Sequence, residues 1–218
     1  LNRGETYQLR GTNAAPTDLS GTFVVGDKPI AVFGSHQCAN VPDDTVWFCD
    51  YIVEQILPEE RAASSFVAMP LATRTGGDTY RFYAVQDKTP VFLNGALIAT
   101  LDRGEWHQRK VVGPAYITAG NPIHVVQYAN SSDFDFVANS DPFQVVIPPI
   151  EMFRTEYEIW VPETGPYPAN YINVVVPSGG VGLVRVDGVP IPAGSYVLIP
   201  RSGFHGAQVP ITVGAHFL

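Results

Sequence analysis

Val91-Phe92-Leu93-Asn94-Gly95-Ala96-Leu97-Ile98 is the stretch that decides the fold class. Strand-favouring residues flank Asn94-Gly95, the pair that best tolerates positive φ at both central positions of a two-residue type I′ hairpin turn. The device returns 93 positions later, where Asp187-Gly188 divides Val184-Arg185-Val186 from Val189-Pro190-Ile191. Around these turns, residues 79–85 and 171–176 are rich in β-branched and aromatic side chains, which suit a pleated, half-buried surface. Glycine (20) and proline (19) together take 39 of the 218 positions and are spread along the whole length, which excludes long helices. The one helix candidate, residues 59–65 after Pro58, supports a single short turn.

Working outward, the halves repeat. Thr22-Phe23-Val24-Val25-Gly26-Asp27-Lys28-Pro29-Ile30-Ala31-Val32 aligns with Ala115-Tyr116-Ile117-Thr118-Ala119-Gly120-Asn121-Pro122-Ile123-His124-Val125, placing Pro29 and Pro122 93 positions apart. Residues 50–58 align with 141–148 at a spacing of 91, and the two hairpin turns keep 93. Residues 1–8 share five of eight identities with residues 101–108, and Ile117-Thr118-Ala119-Gly120 returns as Ile211-Thr212-Val213-Gly214. The pattern predicts an all-β architecture of two tandem, related antiparallel β-sandwich units of jelly-roll type. They span 1–112 and 113–218 with a period of about 92, and a strand pair near 101–126 is shared or exchanged at the junction. Leu1 in place of methionine, and the apolar end His216-Phe217-Leu218, read as a piece cut from something longer.

Composition narrows the function. Hydrophobic residues make up 45% and charged residues 16%, too apolar and too weakly charged for a disordered chain. The formal net charge is −8 and the cations are scattered, the opposite of a phosphate-binding surface, so neither nucleic acid nor an anionic membrane is an expected partner. No apolar run reaches the roughly 20 residues of a membrane span.

Reactive side chains concentrate in residues 35–50. Cys38 and Cys49 lie in a loop rich in Asn, Asp and Pro, and the reading taken forward is that they pair. Such a closure constrains the unfolded chain by roughly 3 kcal/mol in the chain-entropy model and stiffens a tip bearing Trp47. The alternatives are free thiols, or a zinc ion on His36, Cys38, Cys49 and Asp50, whose spacing resembles no zinc finger. Ligand contact is assigned to Trp47, with His36 and Asn40 on the same loop.

Elsewhere the signals are weaker. No nucleophile elbow accompanies the five histidines, so no catalytic triad assembles, and His107 and His124 read as packed or surface residues. Glu105, Glu156 and Glu158 offer carboxylates for a glycosidase pair, but alternating acids usually mark the wet face of a sandwich. No catalytic residue is assigned. Asp133, Asp135, Asn139 and Asp141 could hold calcium through hard oxygen ligands or form a solvated loop; apart from that ion no metal or cofactor is expected. Asn130-Ser131-Ser132 is a glycosylation sequon. Trp106 and Trp160 fall at strand positions and read as core.

The stretches His36-Gln37-Cys38-Ala39-Asn40-Val41-Pro42, residues 49–58, residues 66–74, Gly77-Asp78-Thr79-Tyr80-Arg81 and Asn94-Gly95 resemble the core of the IgG Fc-binding protein N-terminal domain family. Residues 19–22 and 27–33 match the stretch before that core. The likeness is close over about 1–130 and looser beyond; Tyr51 stands where the family often carries histidine. The resemblance implies an extracellular module of a long multidomain protein, in mucus-associated proteins of animals and adhesins of bacteria. The expected function is therefore non-catalytic: a secreted or cell-surface adhesion or assembly module that binds a protein or glycoprotein, or self-associates through β-strand edges such as residues 210–218. A lectin-like module using the Cys38–Cys49 loop is the alternative.

Overall fold

The structure is a computed structural model that describes residues 2–11, 18–137, 140–162 and 169–218. It is all-β, with 3₁₀ turns as its only helical segments among the described residues. Strands β1 (Phe33–Ala39) and β2 (Asp50–Gln55) form an antiparallel ribbon. Seven further strands make one sheet: β3 (Ala63–Ala68), β4 (Asp78–Ala84), β5 (Thr89–Leu93), β6 (Ala96–Leu101), β7 (Trp106–Val111), β8 (Ala115–Tyr128) and β9 (Gln144–Val146).

The 14-residue β8 organises that sheet. Its first half runs between β3 and β5, with Ile117 opposite both Phe66 and Leu93. Its second half runs between β4 and β9, with Val126 opposite both Arg81 and Val146. The strand turns the corner at Gly120-Asn121-Pro122, where residues that interrupt a flat pleat let the sheet curl into a half-barrel. Alternation then sorts the side chains. Ala115, Ile117, Ile123 and Val125 point inward and join Phe66, Tyr80, Phe82, Val91, Leu101 and Val111 in the main core. Each large side chain fully buried there contributes roughly 1.5–3 kcal/mol. The outward residues Val126 and Tyr128 pack with Ala39, Val41 and Ile52 of the β1–β2 region.

Both Gly-containing turns form as the sequence requires. Asn94 and Gly95 take φ of 49° and 82° between β5 and β6. Asp187 and Gly188 take 51° and 80° between β12 (Arg185–Val186) and β13 (Val189–Pro190). The helix candidate is one 3₁₀ turn at Glu59–Arg61, after which Ala63 already enters β3.

Beyond β9, strand β10 (Glu158–Val161) pairs with β16 (Gly214–Phe217), and β11 (Asn170–Pro177), β15 (Phe204–Ile211) and β14 (Val197–Ile199) form a three-stranded sheet. Val174, Val176, Ile191, Tyr196 and Ala207 make its core. A seam joins it to the half-barrel: Val67, Met69 and Ile199 bury together, and Gln208 Nε2 donates to Pro70 O at 2.7 Å.

Strand β8 begins after residue 112 and pairs with β3, β4 and β5 before it. Residues 22–32, the sequence twin of β8, lie in no strand, and Phe23, Val24, Val25 and Ile30 are exposed. Of residues 210–218, those in β16 are taken up by β10, and Leu218 exchanges two backbone hydrogen bonds with Tyr157.

Candidate binding face at the disulfide loop

Cys38 and Cys49 form a disulfide, with Cα atoms 5.0 Å apart. Both sulfurs are thereby used, which removes the zinc set. The loop between them is pinned to the half-barrel at Val41, whose N–H donates to Ser131 Oγ at 3.0 Å and whose carbonyl accepts Ser131 N–H at 2.9 Å. Gln108 Nε2 adds a bond to Pro42 O at 3.0 Å. Asp43 Oδ1 accepts from Thr45 N and Thr45 Oγ1, shaping the turn, and these bonds hold its carboxyl below the ordinary range.

Trp47 projects from this frame, 70% exposed, with Phe48 beside it at 65%. Of the other loop candidates, His36 is exposed on β1 with Nδ1 accepting Cys38 N–H at 3.1 Å. Asn40 is half-buried between buried Ala39 and Val41. The disulfide brings the segment holding His36 and Asn40 against the segment holding Trp47.

Opposite lies the segment 131–137. Its neighbour Asn130, the sequon residue, is 1% exposed: Oδ1 accepts from Thr79 Oγ1 at 2.6 Å and Nδ2 donates to Gly77 O at 2.8 Å. In the folded chain that amide is closed to modification. Asp135 is clamped by Arg74: Nε donates to Oδ2 at 2.9 Å, and Nη2 lies 2.7 Å from Oδ1 as a charge contact without hydrogen-bond geometry, with side chains 2% and 5% exposed. Arg74 also donates to Asn130 O at 2.9 Å and to Ser140 Oγ. Asp135 is therefore committed to an internal cation. Asn139 lies outside the described residues, and among those described no three His, Cys, Asp or Glu side chains converge as a metal site.

Phe48, Ser132, Asp133, Phe136 and Val137 line a shallow, solvent-open cleft of about 320 Å³. Phe136 is 86% exposed, and it and Phe48 take left-handed φ of 57° and 69°. Sequence reading missed this pair: 88 positions separate the two phenylalanines, and no local pattern brings them together.

Other assignments resolve differently. Trp160 is 65% exposed, because β10 and β16 form a two-stranded ribbon and only the face holding Ile159 and His216 is covered. Trp106 is half-buried under the Arg81 guanidinium, 4.2 Å from its ring centre. His107 stacks on Phe82, and burial in β8 holds His124 below its usual pKa. Glu105, Glu156 and Glu158 are exposed; Glu105 caps the turn after β6 by accepting Asp102 N–H.

The arrangement defines a class: an all-β module with a disulfide-closed loop and an aromatic tip, of the kind that persists in oxidising compartments. No helix among the described residues is long and apolar enough to cross a membrane. The family profile described as IgGFc binding protein matches residues 1–218, and the chain belongs to that family. A human protein named IgGFc-binding protein is 26% identical over 199 residues, covering 89% of this chain and 4% of the relative's length. No solved structure matches.

Proposed function

We propose that this chain is a non-catalytic, extracellular module of a larger surface or matrix protein, acting in adhesion or assembly by binding a protein partner through the Cys38–Cys49 loop. The observation that carries the reading is Trp47: a large aromatic side chain mostly in solvent, on a loop held by a disulfide and by the Val41–Ser131 bond pair. A pre-stiffened loop loses little entropy on binding, and an exposed tryptophan is a typical interface anchor. The name of the human relative puts the Fc region of IgG forward as the first protein to try. With the chain immobilised on a biosensor, Fc binding that falls at least about tenfold in Trp47→Ala supports the loop as the site. Binding indifferent to that change refutes it. Binding to a glycan array instead, also lost in Trp47→Ala, transfers the loop to a lectin-like role, and turnover of generic esters or glycosides overturns the non-catalytic reading.

Self-assembly has separate support in residues 22–32. They carry a strand-type sequence, expose Phe23, Val24 and Val25, and no backbone N–H from 23 to 31 bonds to a described residue. Such a segment can add to the sheet edge of a neighbour through main-chain hydrogen bonds. Light scattering should then show concentration-dependent association that Val25→Pro removes; a monomer at all concentrations refutes this arm alone.

A further inference from the structure

We infer that the cleft between Phe48 and Phe136 is a receptor for a single basic side chain, lysine or arginine, presented by a protein partner; this rests on the protein-binding reading above.

The argument comes from how residues 133–136 are used. Their order is acid, aromatic, acid, aromatic: Asp133, Phe134, Asp135, Phe136. The middle two already hold cations of this chain. The Lys110 ammonium sits 5.2 Å from the Phe134 ring centre, and the Arg74 guanidinium pairs with the Asp135 carboxylate. The outer two have the same chemistry and turn to the cleft, and Asp133 has no ion-pair partner among the described residues. An aromatic face attracts a cation through its quadrupole and a carboxylate attracts it through charge, so the free pair repeats, toward solvent, what the occupied pair does internally.

Size and charge agree. The depression, about 320 Å³ and open to solvent, has room for one side chain. The net charge of −8 favours the approach of a cationic surface. Among the described residues, the cleft's side-chain polar groups are one hydroxyl, Ser132, and one carboxylate, Asp133.

The test uses the whole chain and four probes followed by NMR at the Phe48 and Phe136 ring signals: N-acetyl-lysine methylamide, N-acetyl-arginine methylamide, the norleucine analogue, and methyl glucoside. Lysine and arginine amides should shift both rings saturably and bind about three- to tenfold more tightly than norleucine. Asp133→Asn should erase that preference while leaving norleucine binding alone, and Phe136→Ala, at a residue too exposed to disturb folding, should abolish both. Raising salt from about 50 to about 500 mM should weaken only the charged probes. Equal binding of norleucine and lysine, preferential binding of the glucoside, or no saturable shift at either ring overturns the inference. These probes do not depend on which protein binds at Trp47, so failure at the cleft leaves the Trp47 test standing, and failure at Trp47 leaves this one readable.

Discussion

Arg74→Met removes a guanidinium that holds the segment behind the cleft. In the wild type its Nε donates to Asp135 Oδ2 at 2.9 Å, its Nη2 lies 2.7 Å from Oδ1, and it bonds Asn130 O and Ser140 Oγ. Methionine fills much of the volume but leaves Asp135, 2% exposed, with Thr75 N–H at 3.1 Å as its remaining donor among the described residues. An ion pair this buried costs about 3–5 kcal/mol to break from one side, because a stranded charge remains. For a chain of this size that lowers Tm by roughly 6–20 °C. Asp135→Leu alone should also destabilise, since it strands the cation. Arg74→Met combined with Asp135→Leu should recover most of the loss, because neither charge is then left buried. Urea denaturation of the wild type, the two single variants and the double variant reads the cycle directly. A cost below about 1 kcal/mol for Arg74→Met would mean that the pair behaves like a surface ion pair, and would refute the reasoning.

Three further outcomes are expected. Phe82→Ala, in the middle of the half-barrel core at 0% exposure, should cost about 3–5 kcal/mol in denaturant midpoint analysis, against under about 1 kcal/mol for exposed Leu97→Ala. Cys38→Ser with Cys49→Ser should lower stability by about 3 kcal/mol, the entropy of a loop closed across a separation of 11, and reduction of the wild type should reproduce it. His216 donates to Asp187 Oδ2 at 2.7 Å and to Thr212 O at 2.9 Å, two acceptors that together require the imidazolium, and the Asp187 bond raises its pKa above 6.5. Its contribution is therefore complete below the unfolded value and lost as pH rises through the raised folded value. The melting-temperature gap between wild type and His216→Asn should shrink on going alkaline, and a gap flat with pH would rule the imidazolium out.

Local requirements were legible in the sequence and distant ones were not. Asn94-Gly95 and Asp187-Gly188 announced their turns because positive φ is demanded within two residues. The Cys38–Cys49 closure was legible for the same reason, since both ends sit in one short loop. The partners of β8 were not: Ile117 meets Phe66, 51 positions away, and Leu93, on opposite sides, and alternation alone names a face without naming a neighbour. The repeat names a pattern and not a partner for the same physical reason. Residues 22–32 carry the apolar pattern of β8, but pattern fixes which side chains seek burial, and the slot between β3 and β5 is already filled by β8 itself. Trp160 shows a second limit: strand alternation promises one buried face, and in a two-stranded ribbon the other stays open whatever residue it carries.

The cleft also explains why its supports lie where they do. Phe48 and Phe136 hold left-handed backbone, a conformation that costs a side-chain-bearing residue about 1–3 kcal/mol and persists only where the surroundings over-determine it. Each has a fixed neighbour at the adjoining position: Phe48 precedes Cys49, whose sulfur is bonded to Cys38, and Phe136 follows Asp135, which Arg74 clamps. One wall of the cleft is thus set by a covalent bond and the other by a buried ion pair. Val41 and Ser131 tie the two walls together through their paired hydrogen bonds. If the proposed cleft binds a partner, these two restraints mean that the cost of ordering its walls is met in folding and not again on binding.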